Sequence, residues 1–314
     1  MHHLTATTHP ALQDLTVLER GWLSSNNILI HAAPGEAGAV LVDTGHVNHA
    51  AQTLALVQQA LQGRPLARIV NTHLHSDHCG GNATLQRALG VAAAVPPGHA
   101  EAVRLWDEDT LTYRASGQRI DRFEAADTVH PGQSWQAGGR EWQALAAPGH
   151  DEHSLIFFDP ERGVLISADA LWENGFGAVF PEMVGEPGFD DVGAVLDLID
   201  SLPVRVVVPG HGRPFTDVAG ALARARRRLA GFRAEPAKHL RHASKVLLKY
   251  HLMEVGEQDQ PELHGWAGQT PLFVALWQRQ ATAGQSAQAW LEQLLDELVS
   301  QGALARDGSR VLNR

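Results

Sequence analysis

Along the first two-thirds of the chain, short β-branched and aliphatic runs alternate with stretches whose apolar positions recur every three or four residues. The runs AVLVDTG (39–45), ARIVNTH (67–73), VAAAVP (91–96), EWQALAAPGH (141–150), SLIFFD (154–159), GVLISAD (163–169) and VRVVVPGHG (204–212) read as strands ending in turn chemistry. Between them the spacing predicts helices over 49–61, 98–106 and 190–201. In the last, Asp190 is the expected N-cap ahead of Val192, Val195, Leu196 and Ile199, and Pro203 follows where a stop belongs. This alternation is the pattern of an α/β layered fold.

After about Thr216 the strand signals vanish. Helical periodicity runs from 218 to about 255, with Pro236 as a break or kink. A polar stretch, GEQDQPELHGWAGQTP, separates it from helices expected at 272–281 and 287–301. Gly302 then stops the last helix, and a small hairpin turns at Asp307–Gly308. A helix followed by a hairpin reads as a winged-helix-like extension. Two units are expected, 1–216 and 217–314.

Composition narrows the class. Of the 314 residues, 44% are hydrophobic and 19% charged, which is ordinary for a soluble globular protein. No apolar run reaches the roughly 18 residues of a membrane span, and the N-terminus has no basic and apolar leader, so a cytoplasmic address is expected. Cys79 is the only cysteine, which rules out an intrachain disulfide. A net charge of -10 argues against a chain whose main task is gripping a phosphate backbone. One stretch runs the other way: in 224–249 Glu235 is the only acid. A solvated helix face is the favoured reading of that stretch, ahead of a nucleic-acid surface.

Candidate chemistry concentrates in NTHLHSDHCGGN, residues 71–82. His73 closes a predicted strand, and residues i and i+2 of an extended segment point the same way, so His73 and His75 can share one metal ion. Asp77 and His78 fall where the chain turns into a helix and face a point further on. Four ligand-type side chains from one loop can serve two adjacent ions, which then need ligands from elsewhere. Three stand at other strand ends: His150, Asp169 and His211. Loops at strand ends are where α/β scaffolds build sites. A lone histidine is more often structural, but seven ligand-type residues placed this way reverse that expectation. The mixed nitrogen and oxygen set suits Zn2+ and also accepts Fe or Mn.

Neighbouring residues carry weaker signals. Cys79 is expected to be a small buried residue rather than a ligand. His153, in PGHDEHS, is a candidate partner for the metal loop, and His46 and His49 are candidates for the mouth of the site. Trp106, Tyr113, Trp172, Phe176, Phe180 and Met183 fit an apolar substrate wall or ordinary core equally well.

With these residues in view, the chain resembles the metallo-β-lactamase superfamily. THLHSDH matches its His-x-His-x-Asp-His pattern, the later PGH, AD and PGH supply the remaining His, Asp and His, and VDTG (42–45) matches upstream. The resemblance covers about residues 10–216. It implies an αββα sandwich with the site at one edge of the two sheets, and two divalent metal ions. By this match His73, His75 and His150 would hold the first ion, Asp77, His78 and His211 the second, and Asp169 would bridge them. Asp43 would brace the metal loop. True β-lactamases of this superfamily generally lack the bridging aspartate, so Asp169 points away from antibiotic hydrolysis. It is similar instead to glyoxalase II-type thioesterases, lactonases and other dinuclear hydrolases. The tail resembles the branch containing a mitochondrial β-lactamase-like endoribonuclease and, more loosely, the bacterial quinolone-signal thioesterase.

The expected activity is hydrolysis of a small acyl substrate, a thioester ahead of a lactone, by hydroxide held between two ions and oriented by Asp77. The alternatives are an endoribonuclease, motivated by the tail and by 224–249, and a metal-containing binding or regulatory protein with little turnover. No membrane partner is expected.

Overall fold

The computed structural model describes residues 9–314. Strands β1 (Leu15–Leu18), β2 (Asn27–Ile30), β3 (Ala39–Val42), β4 (Leu66–Val70), β5 (Ala92–Val95) and β6 (Ala125–Thr128) form a sheet in sequence order. Its first three strands pair antiparallel, and β3 to β6 run parallel. A second sheet has the order β11-β10-β9-β8-β7, with β7 (Ser134–Ala137), β8 (Arg140–Ala146), β9 (Leu155–Asp159), β10 (Val164–Ala168) and β11 (Val206–Pro209). Antiparallel neighbours run from β7 to β10, and β11 joins β10 in parallel.

Strand alternation sets the layers. Ile28, Ile30, Val40 and Val42 point between the sheets, where they meet Trp142, Phe157, Val164 and Ile166. Leu29, Leu41 and Ile69 point outward, against Val57 and Leu61 of helix Ala50–Leu61 and Leu85 of helix Asn82–Leu89. On the far side Phe158, Leu165 and Val207 lie under helices Phe189–Ser201 and Val218–Ala234. Strands covered on both faces need apolar residues at every position, hence the near-continuous runs in the sequence. The αββα sandwich is the expected one.

Beyond it, helices Pro236–Val255, Gln260–Gln269, Pro271–Gln280 and Ala287–Ser300 share a second core around Leu248, Leu252, Leu263, Leu276 and Leu294. A small antiparallel sheet completes this tail, with the order β12-β14-β13 from β12 (Glu257–Asp259), β13 (Leu304–Asp307) and β14 (Arg310–Asn313). The expected terminal hairpin is β13–β14, and Pro236 does divide two helices.

Strands β1, β2, β6 and β7 lie outside the sequence reading, and the structure differs from it in three further places. Helix 190–201 starts at Phe189 with Gly188 as N-cap. The Glu182 carboxylate accepts from the Gly188 and Phe189 amides at 2.9 and 3.2 Å, filling the capping role assigned to Asp190. The polar stretch after 255, given no element by the sequence, forms β12 and helix Gln260–Gln269, because Leu263 and Ala267, four residues apart, sink into the tail core. Helix Val218–Ala234 packs by Leu222, Ala225 and Leu229 on the sandwich, so the loss of strand signal at 216 does not coincide with the start of the tail core near Leu240.

His239 sits where tail and sandwich meet. Its Nε2 accepts from the Val179 amide at 3.1 Å, and its ring lies edge-on to Phe189 and Phe232. Burial, with nearby Arg228 and Arg279, lowers its pKa to about 4. The unfolded chain protonates this imidazole below ~6.5, so its share of stability is whole above that pH and drains away as pH falls toward 4. His239→Gln keeps an acceptor and should abolish about 2 kcal/mol of the stability lost between pH 7 and pH 5. Urea unfolding at the two pH values checks this; equal losses in both proteins would refute it.

Candidate metal centre

The ends of five strands meet at one edge of the sandwich. Asp43 follows β3, His73 follows β4, His150 follows β8, Asp169 follows β10 and His211 follows β11. His75 caps the short helix Ser76–Cys79, which carries Asp77 and His78. The structure brings the seven expected ligand residues together in two groups, His73, His75 and His150 in one, and Asp77, His78, Asp169 and His211 in the other. Within each group one ligand atom per residue lies within 4.8 Å of the rest. All seven are buried. Asp169 stands between the groups: Oδ2 lies 3.4 Å from His150 Nε2, and Oδ1 lies 3.4 Å from His78 Nε2.

Hydrogen bonding on the far side of each ring shows what the near side offers. His150 Nδ1 donates to the Ala178 carbonyl at 2.6 Å, which leaves Nε2 as a bare lone pair. Thr72 Oγ1 donates to Asp43 Oδ2 and so accepts from His73 Nδ1 at 3.1 Å, which again frees Nε2. Both lone pairs converge on His75 Nδ1, at 2.8 and 3.1 Å. One proton there cannot satisfy both, but a cation can. His78 Nδ1 donates to Asp43 Oδ2 at 2.7 Å, so its Nε2 faces Asp169 and Asp77 without a hydrogen-bond partner. The residues therefore fit a pair of divalent cations.

The charges agree. Burial lowers the pKa of His73 far below the usual range and, with the His150 ring beside it, that of His75 to about 4, which keeps both as neutral donors. Burial would also suppress a charge on His78, but Asp169, Asp77 and Asp43 outweigh it and raise its pKa well above the usual value. Burial alone would raise the pKa of Asp77, but His78 and His211 bring it down to about 2. The second group thus favours positive charge at its centre.

The backbone is shaped to hold this arrangement. Asp43, at φ 57°, accepts from the Thr72 amide at 2.9 Å as well as from Thr72 Oγ1 and His78, so one carboxylate fixes both ends of the metal loop. Ala168 takes φ 46° at a register shift in β10, which re-aims the following Asp169. A Cβ on Gly210 would strike Asp169 Oδ1, and one on Gly81 would sit 2.5 Å from the Thr44 carbonyl, so both loops require glycine there.

A cavity of about 480 Å3 opens onto the cluster. Trp172 and Phe180 line it, as the sequence allowed, while Phe176 and Met183 are core residues and Trp106 and Tyr113 pack beneath the metal loop. Trp172 Nε1 donates to Asp169 Oδ1 at 3.2 Å. Cys79 is fully buried, with Sγ 3.3 Å from the Leu74 and His75 carbonyls, and burial pushes its thiol pKa up. His153 stacks edge-on with His99 and approaches no ligand; from that loop it is Asp151 that comes within 4.0 Å of His75. His46 is not at the mouth but fully buried, 3.3 Å from Glu254 of the tail, and His49 bonds Ser24.

Sequence reasoning missed Trp22, which stacks on His211 with ring centroids 5.3 Å apart, and Tyr250, whose hydroxyl meets Ser76 Oγ at 2.6 Å. Trp22 stands in no motif that marked it in the sequence, and neither does Tyr250. The basic stretch 224–249 is largely neutralised: Arg224, Arg226, Arg233, Lys238, Arg241 and Lys245 all pair with carboxylates. No helix among the described residues is long and apolar enough to cross a membrane.

Residues 20–211 match the family model for the metallo-beta-lactamase superfamily. Hydroxyacylglutathione hydrolase from Synechococcus sp. (strain JA-2-3B'a(2-13)) is 30% identical over 175 residues, 54% of this chain and 60% of that protein. The chain therefore spans less than two-thirds of that relative. Acyl-coenzyme A thioesterase MBLAC2 from Homo sapiens is 26% identical over 236 residues, 66% of this chain and 81% of its own. A solved beta-lactamase domain protein from Burkholderia ambifaria superposes on 100% of this chain and 98% of its own, with a TM-score of 0.57 and 20% identity, a likeness of fold that includes the tail. With a family match over more than half its length, laid on an αββα sandwich, the chain belongs to the metallo-β-lactamase superfamily.

Proposed function

We propose that this protein hydrolyses thioesters at a two-metal centre. The observation that carries the reading is the Asp169 carboxylate, which turns one oxygen to each ligand group at the floor of the cavity. The relatives' names, hydroxyacylglutathione hydrolase and acyl-coenzyme A thioesterase, support an acyl group on sulfur as the substrate. His73, His75 and His150 would hold one cation, Asp77, His78 and His211 the other, and Asp169 both. Zn2+ suits this donor set best, and Fe or Mn are compatible with it.

Such cations supply water acidified from pKa 15.7 to about 7 and a positive field for a carbonyl oxygen. The chain's own residues do the rest. Asp77, ionised at neutral pH, accepts a hydrogen bond from the attacking water and orients it. Trp172 holds the Asp169 carboxylate in one orientation through its indole N–H. A thiol has a pKa near ~8.5, so the departing thiolate needs no proton from a general acid. Trp22, Trp172 and Phe180 restrict water at the cavity wall. The ribonuclease reading loses support, because most of the basic stretch that, with the tail, motivated it is paired with acids.

Purified protein should carry about two metal ions per chain by mass spectrometry and hydrolyse acyl thioesters faster than lactones, phosphodiesters or RNA. Bound metal without turnover across that panel would favour a binding protein. Asp77→Ala should lower kcat by roughly 10²–10⁴-fold; activity within twofold of wild type would remove Asp77 from the mechanism. Asp43→Asn tolerates the left-handed backbone but cannot anchor His78 as an anion. It should weaken metal affinity about 10–100-fold in a chelator competition, and unchanged affinity would show that the brace is dispensable.

A further inference from the structure

Helix Pro236–Val255 turns one stripe toward the cavity. His242, Val246, Tyr250 and Met253 recur at i, i+4, i+8 and i+11, which is one face of an α-helix. Leu298, from helix Ala287–Ser300, extends this face. Opposite stand Phe180 and Trp172, beside the ligands His75 and Asp169. The space between the tail and the metal cluster is therefore walled mainly by carbon.

Charges on the tail side are engaged elsewhere. Lys245 Nζ pairs with Glu297 at 3.2 Å. Lys249 Nζ donates to the Ala303 and Arg314 carbonyls and to Asn313 Oδ1. His242 Nε2 accepts from Arg228 at 2.6 Å, and burial holds the ring neutral with a pKa of about 3. Arg314 lines the cavity too, but it is exposed. Against Val246, Tyr250, Met253 and Leu298 a ligand group meets carbon and one phenol, and an ionised group seated there would lose its hydration without compensation.

We infer that the tail wall holds the acyl half of the substrate, and that this half is an uncharged aliphatic chain of several carbons. The inference rests on the thioester reading and adds a substrate class to it. The polar carrier of the thiol stays toward solvent, and Val246 and Met253 set how long a chain fits.

The test is a series of straight-chain acyl thioesters of one thiol, from acetyl to decanoyl, assayed with metal-loaded protein. Each added methylene should raise kcat/KM by about fourfold until the cavity is filled, the equivalent of about 0.8 kcal/mol per buried methylene. Val246→Trp and Met253→Trp should cut the octanoyl-to-acetyl ratio by roughly tenfold or more. Val246→Ala, which cannot clash, should move the plateau to longer chains and keeps the test decisive if the tryptophan variants fail to fold. Hydrolysis at every length with no rise along the series overturns the acyl assignment while the thioester reading stands. No hydrolysis of any thioester overturns both.

Discussion

Imidazole lone pairs and carboxylate charges converge among buried side chains at one edge of the sandwich, and this convergence is the constraint that the rest of the molecule serves. Bringing such groups together without a cation leaves buried donors and anions uncompensated, which costs several kcal/mol per group. The sandwich supplies the rigidity to bear that cost. The candidate ligands His73, Asp169 and His211 follow strands packed on both faces, so their backbone is held by close-packed core on either side. The loops then add local devices: Asp43 tying Thr72 to His78, Ala168 in an unfavourable backbone region, and glycines where chains touch.

The tail is bound into this arrangement. Tyr250 reaches Ser76, the first residue of the helix that carries Asp77 and His78. Four residues further on, Glu254 faces His46 at 3.3 Å and its carbonyl accepts from Asn48, both in the segment after Asp43. One helix therefore touches both the metal loop and the segment after Asp43, and also lines the cavity beside them. Tail and sandwich keep separate cores, yet the site is complete only where they meet.

Much of the site was legible because its residues are local and chemically distinctive. His73, His75, Asp77 and His78 lie within six positions, and His150, Asp169 and His211 each follow an apolar run that cannot be mistaken for surface. The central strands β3, β4, β5, β9, β10 and β11 were legible from their apolar runs, whereas β1, β2, β6 and β7 went unread, β6 and β7 because half or more of their positions face solvent. Other features were not legible because they depend on tertiary approach. Glu182 caps a helix seven residues away through a fold of the chain, and Gln260–Gln269 is helical because Leu263 meets a core built from other helices. His153 stood in the right sequence neighbourhood but turned to His99, while Asp151, two residues earlier, faces the cluster. Trp22 and Tyr250 reach the site from the β1–β2 loop and the tail, and no short-range pattern can announce such meetings.

Cys79 lies one residue beyond the last ligand of the metal loop, yet it is fully buried, with its thiol pKa pushed upward. Thiol–disulfide exchange requires an accessible thiolate, and this residue offers neither access nor charge. A hydrolase that releases a free thiol at every turnover is exposed to mixed-disulfide formation with its own oxidised product. Under the proposed thioester reading, enclosing the only cysteine of the sequence beneath the metal loop keeps the site from capture by the released thiol's oxidised form.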